Sequence, residues 1–260
     1  MTWVIGRAVP FGYAVGISDI RVTLPDGKER DCLQKLYKIG SQMVLGFAGS
    51  VNIGFEIVNQ ISASLFVPEG KGAWHPQKIA ELFPIGTKNL FKSFPDQQKS
   101  LGCELMLLAV DPTENEGPMP WAKCYAYRFF SPEFEPIQAS NAEIVSIGSG
   151  ASVKPYIEAL HTLTDDYDMF KLDMGMTGGA GIGLMASVSS VLNKVSVPGI
   201  SRHLHICIIE RDRVRIGTNS IEIPEQPETN FIMPPVAKSR EELSRLLLGA
   251  ETAAIERIKC

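Results

Sequence analysis

The chain opens MTWVIGRAVPFGYAVGISD, with a threonine at its second position. Removal of Met1 would leave Thr2 with a free α-amino group beside its own hydroxyl. Such a residue joins nucleophile and base. A hydroxyl is a weak nucleophile until a base stands within hydrogen-bond reach, and an α-amine, ordinarily titrating near ~7.7–8.0, can take up and return a proton at neutral pH. The plain alternative is that Trp3, Val4 and Ile5 simply begin a buried strand early. Three other groupings invite chemistry and hold up less well. The glycines of GGAGIG (Gly178–Gly183) stand at a predicted helix start, where anions can be cradled. No strand precedes them and no Lys-Ser/Thr pair follows, so they read as a helix entry. His203 and His205 share one face of a predicted strand, as metal ligands do, but no third ligand lies at a recognisable spacing. They read as core or interface histidines, and no metal or cofactor is expected. Cys32 lies near Lys35 but is not N-terminal, and is not read as a nucleophile.

Residues 2–9 and 12–18 alternate or run apolar around Pro10-Phe11-Gly12, a hairpin with a turn signal at its centre. Strands are predicted next at about 33–40 and 42–48. Apolar residues then recur at Val51, Ile53, Phe55, Ile57, Val58, Ile61 and Leu65, a helical spacing. A second helix is predicted near 76–94, opened by His75-Pro76, since proline suits a first turn. Strands follow at 103–111, 121–130 and 143–148, helices around 152–163 and 179–195, and strands at 203–210 and 213–217. The order is ββββ, αα, βββ, αα, ββ. Helices come in pairs between blocks of strands, which speaks against a parallel βαβ sheet and for an α+β fold. Beyond residue 218 the texture becomes Pro- and Glu-rich, a linker or arm. It ends in a predicted amphipathic helix with Glu241 and Glu242 near its start, where carboxylates suit the helix dipole.

The stretch KLYKIGSQMVLGFAGS, with a helix beginning directly after it, resembles the proteasome β-subunit and HslV peptidase family of N-terminal nucleophile hydrolases. The resemblance covers about residues 2–216 and implies a four-layer αββα sandwich. In that family an N-terminal threonine is followed by an aspartate in a run ending Arg-x-Thr, a lysine on the next strand, and an Ala-Gly turn opening the first helix. Here Thr2 resembles the nucleophile, Asp19 with Arg21 and Thr23 (SDIRVT) the aspartate run, Lys35 the lysine, and Gly49 in FAGS the glycine whose N–H serves the oxyanion. Ser149 in IGSG resembles a supporting serine near the amine. Asp19 to Lys35 spans 16 residues and Lys35 to Gly49 spans 14, as in proteasomal β chains. Thr2 to Asp19 spans 17, one more than the family norm, and the turn at Pro10-Phe11-Gly12 is the simplest place for the extra residue. A slip inside a strand would send side chains to the wrong face.

On this resemblance Lys35 would lower the α-amine pKa by like-charge repulsion, and Asp19 would hold Lys35 charged and oriented. The Gly49 N–H, at a helix N-terminus, would receive an oxyanion. β-Branching leaves Thr2 few χ1 choices. Val22, Leu33, Tyr37, Phe47 and Val51 would line the pocket beside Thr2 and favour cleavage after bulky apolar residues. Arg21 and Thr23 would bind substrate. One departure stands out: where the family carries Asp-x-x-Ser-Gly-Gly before the penultimate strand, this chain reads VSVPGISRHLHIC. No aspartate lies between Asp173 and Glu210, and Ser201 is the nearest serine.

The expected activity is a threonine-type endopeptidase or amidohydrolase acting on peptides or unfolded proteins, in a homo-oligomeric ring fed by a separate ATPase unfoldase. The alternatives are a catalytically silent ring-forming scaffold and a small-amide hydrolase on the same frame. The division expected is residues 1–217 as the hydrolase domain and 218–260 as a C-terminal linker and helix, an arm that could reach a neighbouring subunit. Net charge of −4 and the absence of a long basic run suggest neither a nucleic-acid partner nor an anionic membrane surface. No apolar stretch approaches the ~20 residues of a membrane span, and the first residues do not form a secretory h-region. Five scattered cysteines without a CxxC fit a reducing, cytoplasmic compartment.

Overall fold

The computed structural model describes residues 2–9, 12–24, 26–65, 74–118, 120–140, 143–165, 188–217 and 234–248. The opening hairpin pairs β1 (Val4–Val9) with β2 (Tyr13–Asp19) in one unbroken antiparallel register, from Val4 opposite Ser18 to Val9 opposite Tyr13. No bulge interrupts this ladder, so nothing slips within either strand. The pair is buried on both faces, which accounts for its nearly continuous apolar sequence.

β3 (Arg21–Thr23) and β4 (Glu29–Asp31) form a small two-stranded ribbon. β5 (Leu36–Gly40) and β6 (Met43–Gly49) follow, then β7 (Cys103–Asn115), β8 (Ala122–Phe130) and β9 (Ile137–Gln138). β10 (Ile144–Ile147), β11 (Leu204–Ile209) and β12 (Val214–Gly217) complete the strands. Two five-stranded sheets result, β10-β1-β2-β11-β12 and β5-β6-β7-β8-β9, both antiparallel throughout. The chain is therefore a mixed α+β protein.

Three apolar clusters organise it. Val4, Ala8, Leu36, Val44, Met106, Leu108 and Cys207 join residues of both sheets in one cluster. Small side chains let the sheets approach: a Cβ on Gly16 would stand 2.9 Å from Leu108 Cδ1. A second cluster joins Trp3, Ile5 and Ile17 of the first sheet's other side to Tyr156 and Leu160 of α4 (Lys154–Asp165), and to Val188 and Leu192 of the helical residues 188–194. The third joins Leu45, Phe47, Leu105 and Leu107 of the second sheet to α1 (Val51–Ser64) and α2 (Pro76–Ser93). Ser50 caps α1 through its side chain, which accepts the Ile53 N–H at 3.5 Å. Pro76 occupies the first turn of α2, as expected from its fixed φ.

Expected and observed elements differ in instructive places. The strand expected over 33–40 begins only at Leu36. Ahead of it, Leu33 makes an isolated parallel bridge to Ala237. There the Ala237 N–H donates to Cys32 O at 2.8 Å, and the Gln34 N–H to Ala237 O at 3.0 Å. The C-terminal segment 234–248 thus packs on this chain's own second sheet, with Leu243 in the third cluster. Its helix, 240–248, opens with a Ser-x-x-Glu pair related to a capping box, the return bond reaching one residue further back. Ser239 Oγ accepts the Glu242 N–H at 3.2 Å, and the Glu242 carboxylate accepts the Lys238 N–H at 2.7 Å. The β3–β4 ribbon was not legible as strands, being three polar-rich residues on each side. GGAGIG and most of the helix expected over 179–195 lie outside the described residues.

Candidate active site

Asp19 closes β2 opposite Trp3. The Asp19 N–H donates to Trp3 O at 3.1 Å, and the Trp3 N–H returns to Asp19 Oδ1 at 2.7 Å. The same Oδ1 accepts Lys35 Nζ at 2.8 Å. Oδ2 accepts the Arg21 N–H at 2.9 Å and the Ser201 N–H at 3.4 Å. Both partners of the ion pair are 1% exposed. Such a pair survives burial because its remaining lone pairs are satisfied. Burial pushes the Lys35 ammonium below the ordinary lysine value, against the opposing charge and hydrogen bond of Asp19.

Thr2 lies one residue ahead of this pairing, half-buried at the end of the first sheet. Its N–H donates to Ser149 Oγ at 3.0 Å, while its carbonyl accepts the Gly150 N–H at 3.1 Å and Ser149 Oγ at 3.3 Å. Ser149 opens a single 3₁₀ turn, Ser149–Ser152, directly after β10. The residue directly opposite Asp19 is thus Trp3, and Thr2 is the next residue out. Trp3 itself is anchored by stacking on Tyr156, ring centroids 4.3 Å apart.

The Phe47 N–H donates to Lys35 O at 3.1 Å. Backbone groups alternate along a strand, so the Gly49 N–H two residues on points to the same edge of β6, the edge of Lys35. Gly49 has φ +91°, and a Cβ there would stand 2.5 Å from the backbone oxygen of Gly102. Gly49→Ala is expected to lower stability by about 2 kcal/mol or more, since the left-handed conformation and the backbone clash act together. A thermal melt that left the midpoint unchanged would contradict this.

The five residues expected to line a pocket beside Thr2 all belong to, or pack on, the third apolar cluster. Val22, Leu33, Tyr37 and Phe47 are buried in the cluster against α1, and Val51 packs on it. Tyr37 stacks on Phe47 at 5.8 Å and meets Phe55 edge-on at 5.9 Å. Burial, with the Glu242 carboxylate adding to it, pushes the Tyr37 phenol up. Arg21 turns its guanidinium to Asp31, Nε to Oδ1 at 2.6 Å and Nη2 to Oδ2 at 3.2 Å, with Nη1 on Glu29 at 3.1 Å. Thr23 is exposed opposite Glu29 in the ribbon.

Asp31 is the member of this neighbourhood that spacing did not reveal. Its Oδ2 also accepts Ser201 Oγ at 2.7 Å and lies 3.1 Å from His203 Nδ1. Burial pushes the Asp31 carboxyl up, but the hydrogen bonds from Arg21, Ser201 and His203 outweigh it and hold the group below the usual carboxylate range. Its partners lie 10 and about 170 residues away, so no local motif marks them. His205, in β11, stands opposite Ser18, and both are fully buried. Neither imidazole nitrogen, nor Ser18 Oγ, has a hydrogen-bond partner among the described residues. Burial pushes the His205 imidazole down to about 4, with the charges of Lys238 and Lys35 adding to the effect.

A separate apolar cleft of about 210 Å³ opens between α1 and α2, lined by Ile61, Leu65, Trp74, Ile79 and Phe83 among others. It shares no residue with the Thr2 neighbourhood. Among the described residues no group of three or more His, Cys, Asp or Glu side chains could hold a metal ion. Nor is any described helix long and apolar enough to cross a membrane. No family model matches the chain, and no curated protein matches it.

Proposed function

We propose that this chain is a proteasome-like N-terminal nucleophile hydrolase that uses Thr2, freed of Met1, to cleave peptide bonds. The observation that carries the reading is the convergence at the chain start. The Asp19–Lys35 pair is buried against Trp3 while the Thr2 nitrogen meets Ser149 Oγ. The three apolar clusters support an αββα layering for the same fold. Loss of Met1 turns the Thr2 nitrogen from an amide into an amine at a position where Ser149 Oγ already takes its hydrogen bond. Thr2 Oγ attacks the substrate carbonyl carbon and its proton passes to that amine. The carbonyl oxygen becomes an oxyanion received by the Gly49 N–H. Collapse expels the amine of the leaving peptide, which takes the proton, and leaves an ester on Thr2. Water, deprotonated by the same amine, hydrolyses the ester. The Lys35 charge favours the unprotonated amine, and Val22, Leu33, Tyr37, Phe47 and Val51 favour an apolar side chain beside the scissile bond. A homo-oligomeric ring supplied with unfolded protein by a separate ATPase, in the cytoplasm, belongs to this reading.

One observation favours a second reading, the silent scaffold. Trp3, not Thr2, stands opposite Asp19, and the ion pair is closed on itself with every carboxylate oxygen already bonded. A small-amide hydrolase on the same frame would use the same residues on a smaller substrate. Intact mass before and after incubation with a peptide epoxyketone or β-lactone separates them. Loss of one methionine with a single adduct, absent in Thr2→Ala, is the expected result. Retained Met1 and no adduct would overturn the hydrolase reading in favour of the scaffold, and adducts only with small electrophiles would favour the small-amide enzyme.

A further inference from the structure

The family-like run that would bring an aspartate to this site is missing between Asp173 and Glu210, yet a carboxylate stands in the neighbourhood. It arrives from another part of the chain. Asp31, at the end of the β3–β4 ribbon, is gripped on one side by Arg21 through two parallel hydrogen bonds of 2.6 and 3.2 Å. On the other side its Oδ2 takes Ser201 Oγ at 2.7 Å and faces His203 Nδ1 at 3.1 Å. The His203 N–H returns to Ser201 Oγ at 3.0 Å, closing the 201–203 turn on itself. Both residues that Asp31 holds, Arg21 and Ser201, present their backbone N–H groups to Asp19 Oδ2. Two segments far apart in the chain therefore meet on one oxygen of Asp19 because Asp31 ties their side chains together.

We infer that Asp31 is a positioning residue for the Asp19–Lys35 pair, supplying from β4 the carboxylate that holds Ser201 against Asp19. This rests on the hydrolase reading for its catalytic consequence, though not for its structural content. A planar guanidinium gripped bidentately fixes direction as well as distance. The Arg21 N–H is thereby aimed at Oδ2, while Lys35 and Trp3 share Oδ1. The charge of Asp31 also helps keep Lys35 protonated, whereas Arg21 acts the other way. Glu29 takes only the third Arg21 nitrogen, at 3.1 Å and in a more exposed position. It cannot substitute for the Ser201 contact.

The test uses the full chain with Asp31→Asn, Asp31→Glu and Ser201→Ala, each checked for wild-type melting behaviour, and two readouts. The first is the NMR titration of Lys35, followed through its side-chain carbon next to the ammonium, which needs no activity. The second is the rate constant for capture of Thr2 by a peptide epoxyketone, separated from the probe's binding constant. Asp31→Asn is expected to move the Lys35 titration downward and to slow capture about tenfold or more at saturating probe. Probe binding should change little, and Asp31→Glu should recover part of the loss. Ser201→Ala should reproduce the slower capture with a smaller Lys35 shift, since the charge remains. An unmoved Lys35 titration in Asp31→Asn would overturn the positioning role. So would an Asp31→Asn that captures probe at the wild-type rate. If wild type itself forms no adduct, the hydrolase reading and the catalytic consequence fall together, while the Lys35 titration still decides whether Asp31 positions the pair.

Discussion

Asp19→Ala is expected to destabilise the fold by about 3–5 kcal/mol, because it leaves a buried ammonium without its counter-charge. Three backbone donors, the N–H groups of Trp3, Arg21 and Ser201, lose their acceptor at the same time. Each unsatisfied buried donor adds its own desolvation penalty of roughly 1–3 kcal/mol where water cannot reach it. With native domains stable by about 5–15 kcal/mol, this is a large part of the whole. Lys35→Met is expected to be milder, since the carboxylate keeps those backbone donors. The double variant should be more stable than the sum of the two single losses predicts, with a coupling of about 2 kcal/mol or more, because each single change strands the other charge. Urea unfolding at neutral pH measures all three. Losses that simply add, or an Asp19→Ala loss below about 1 kcal/mol, would mean that the pair is solvated rather than buried.

Such a pair at the start of a chain has consequences for any chemistry there. The donors on Asp19 come from the residue before β1, from the first residue of β3, from the residue before β5 and from the turn before β11. One carboxylate thereby fixes four segments, and Thr2 is a single residue beyond the first of them. A nucleophile set so close to a rigid anchor needs little reorganisation to reach a substrate carbonyl. The same rigidity serves a scaffold equally well, which is why capture of Thr2, and not stability, separates the two readings.

The legible parts of the sequence were those written in local periodicity. The helical spacing from Val51 gave α1 to within a residue at its start, and His75-Pro76 gave the start of α2. Strands buried on both faces read as apolar runs, so β1, β2, β6 and β7 were visible. What escaped depended on partners far away in the chain. β3 and β4 are three residues each and hold together through Arg21 and Asp31, a pairing that alternation cannot encode. The strand expected from residue 33 starts late because Leu33 pairs instead with Ala237, more than 200 residues on. For the site, the family resemblance with its spacing selected Asp19 and Lys35, and the structure brings them to 2.8 Å. It could not select Asp31, whose partners Ser201 and His203 arrive from the turn before β11, about 170 residues away. It also left the one-residue difference before Asp19 to the turn; the ladder shows no slip, and Trp3 takes the place opposite the carboxylate.

The histidine that looked like ordinary core has the second large effect. His205 is fully buried between Ser18 across the ladder and the charges of Lys35 from the β5 side and Lys238 from the C-terminal segment. Burial, with these two ammonium groups, holds its pKa down to about 4, against an unperturbed value near 6.5. In the unfolded chain it protonates near that ordinary value, so between the two the unfolded state binds more protons. Stability is therefore complete above about pH 6.5 and falls as the pH drops toward 4, by about 3 kcal/mol over the window at ~1.4 kcal/mol per unit. Below the folded pKa the imidazole charges in place, beside two cations and with no hydrogen-bond partner among the described residues. Asp31 adds its own acid lability lower still, because its depressed carboxyl gives up stability as the pH falls through its folded value. His205→Gln removes the first of these without removing the second. Unfolding free energies of wild type and His205→Gln, followed from pH 7 to pH 4, should diverge in slope by about one proton, the variant holding its stability while wild type loses it. Parallel profiles would mean that the imidazole reaches water or an acceptor in the folded protein, and that the acid sensitivity of this fold resides in its carboxylates alone.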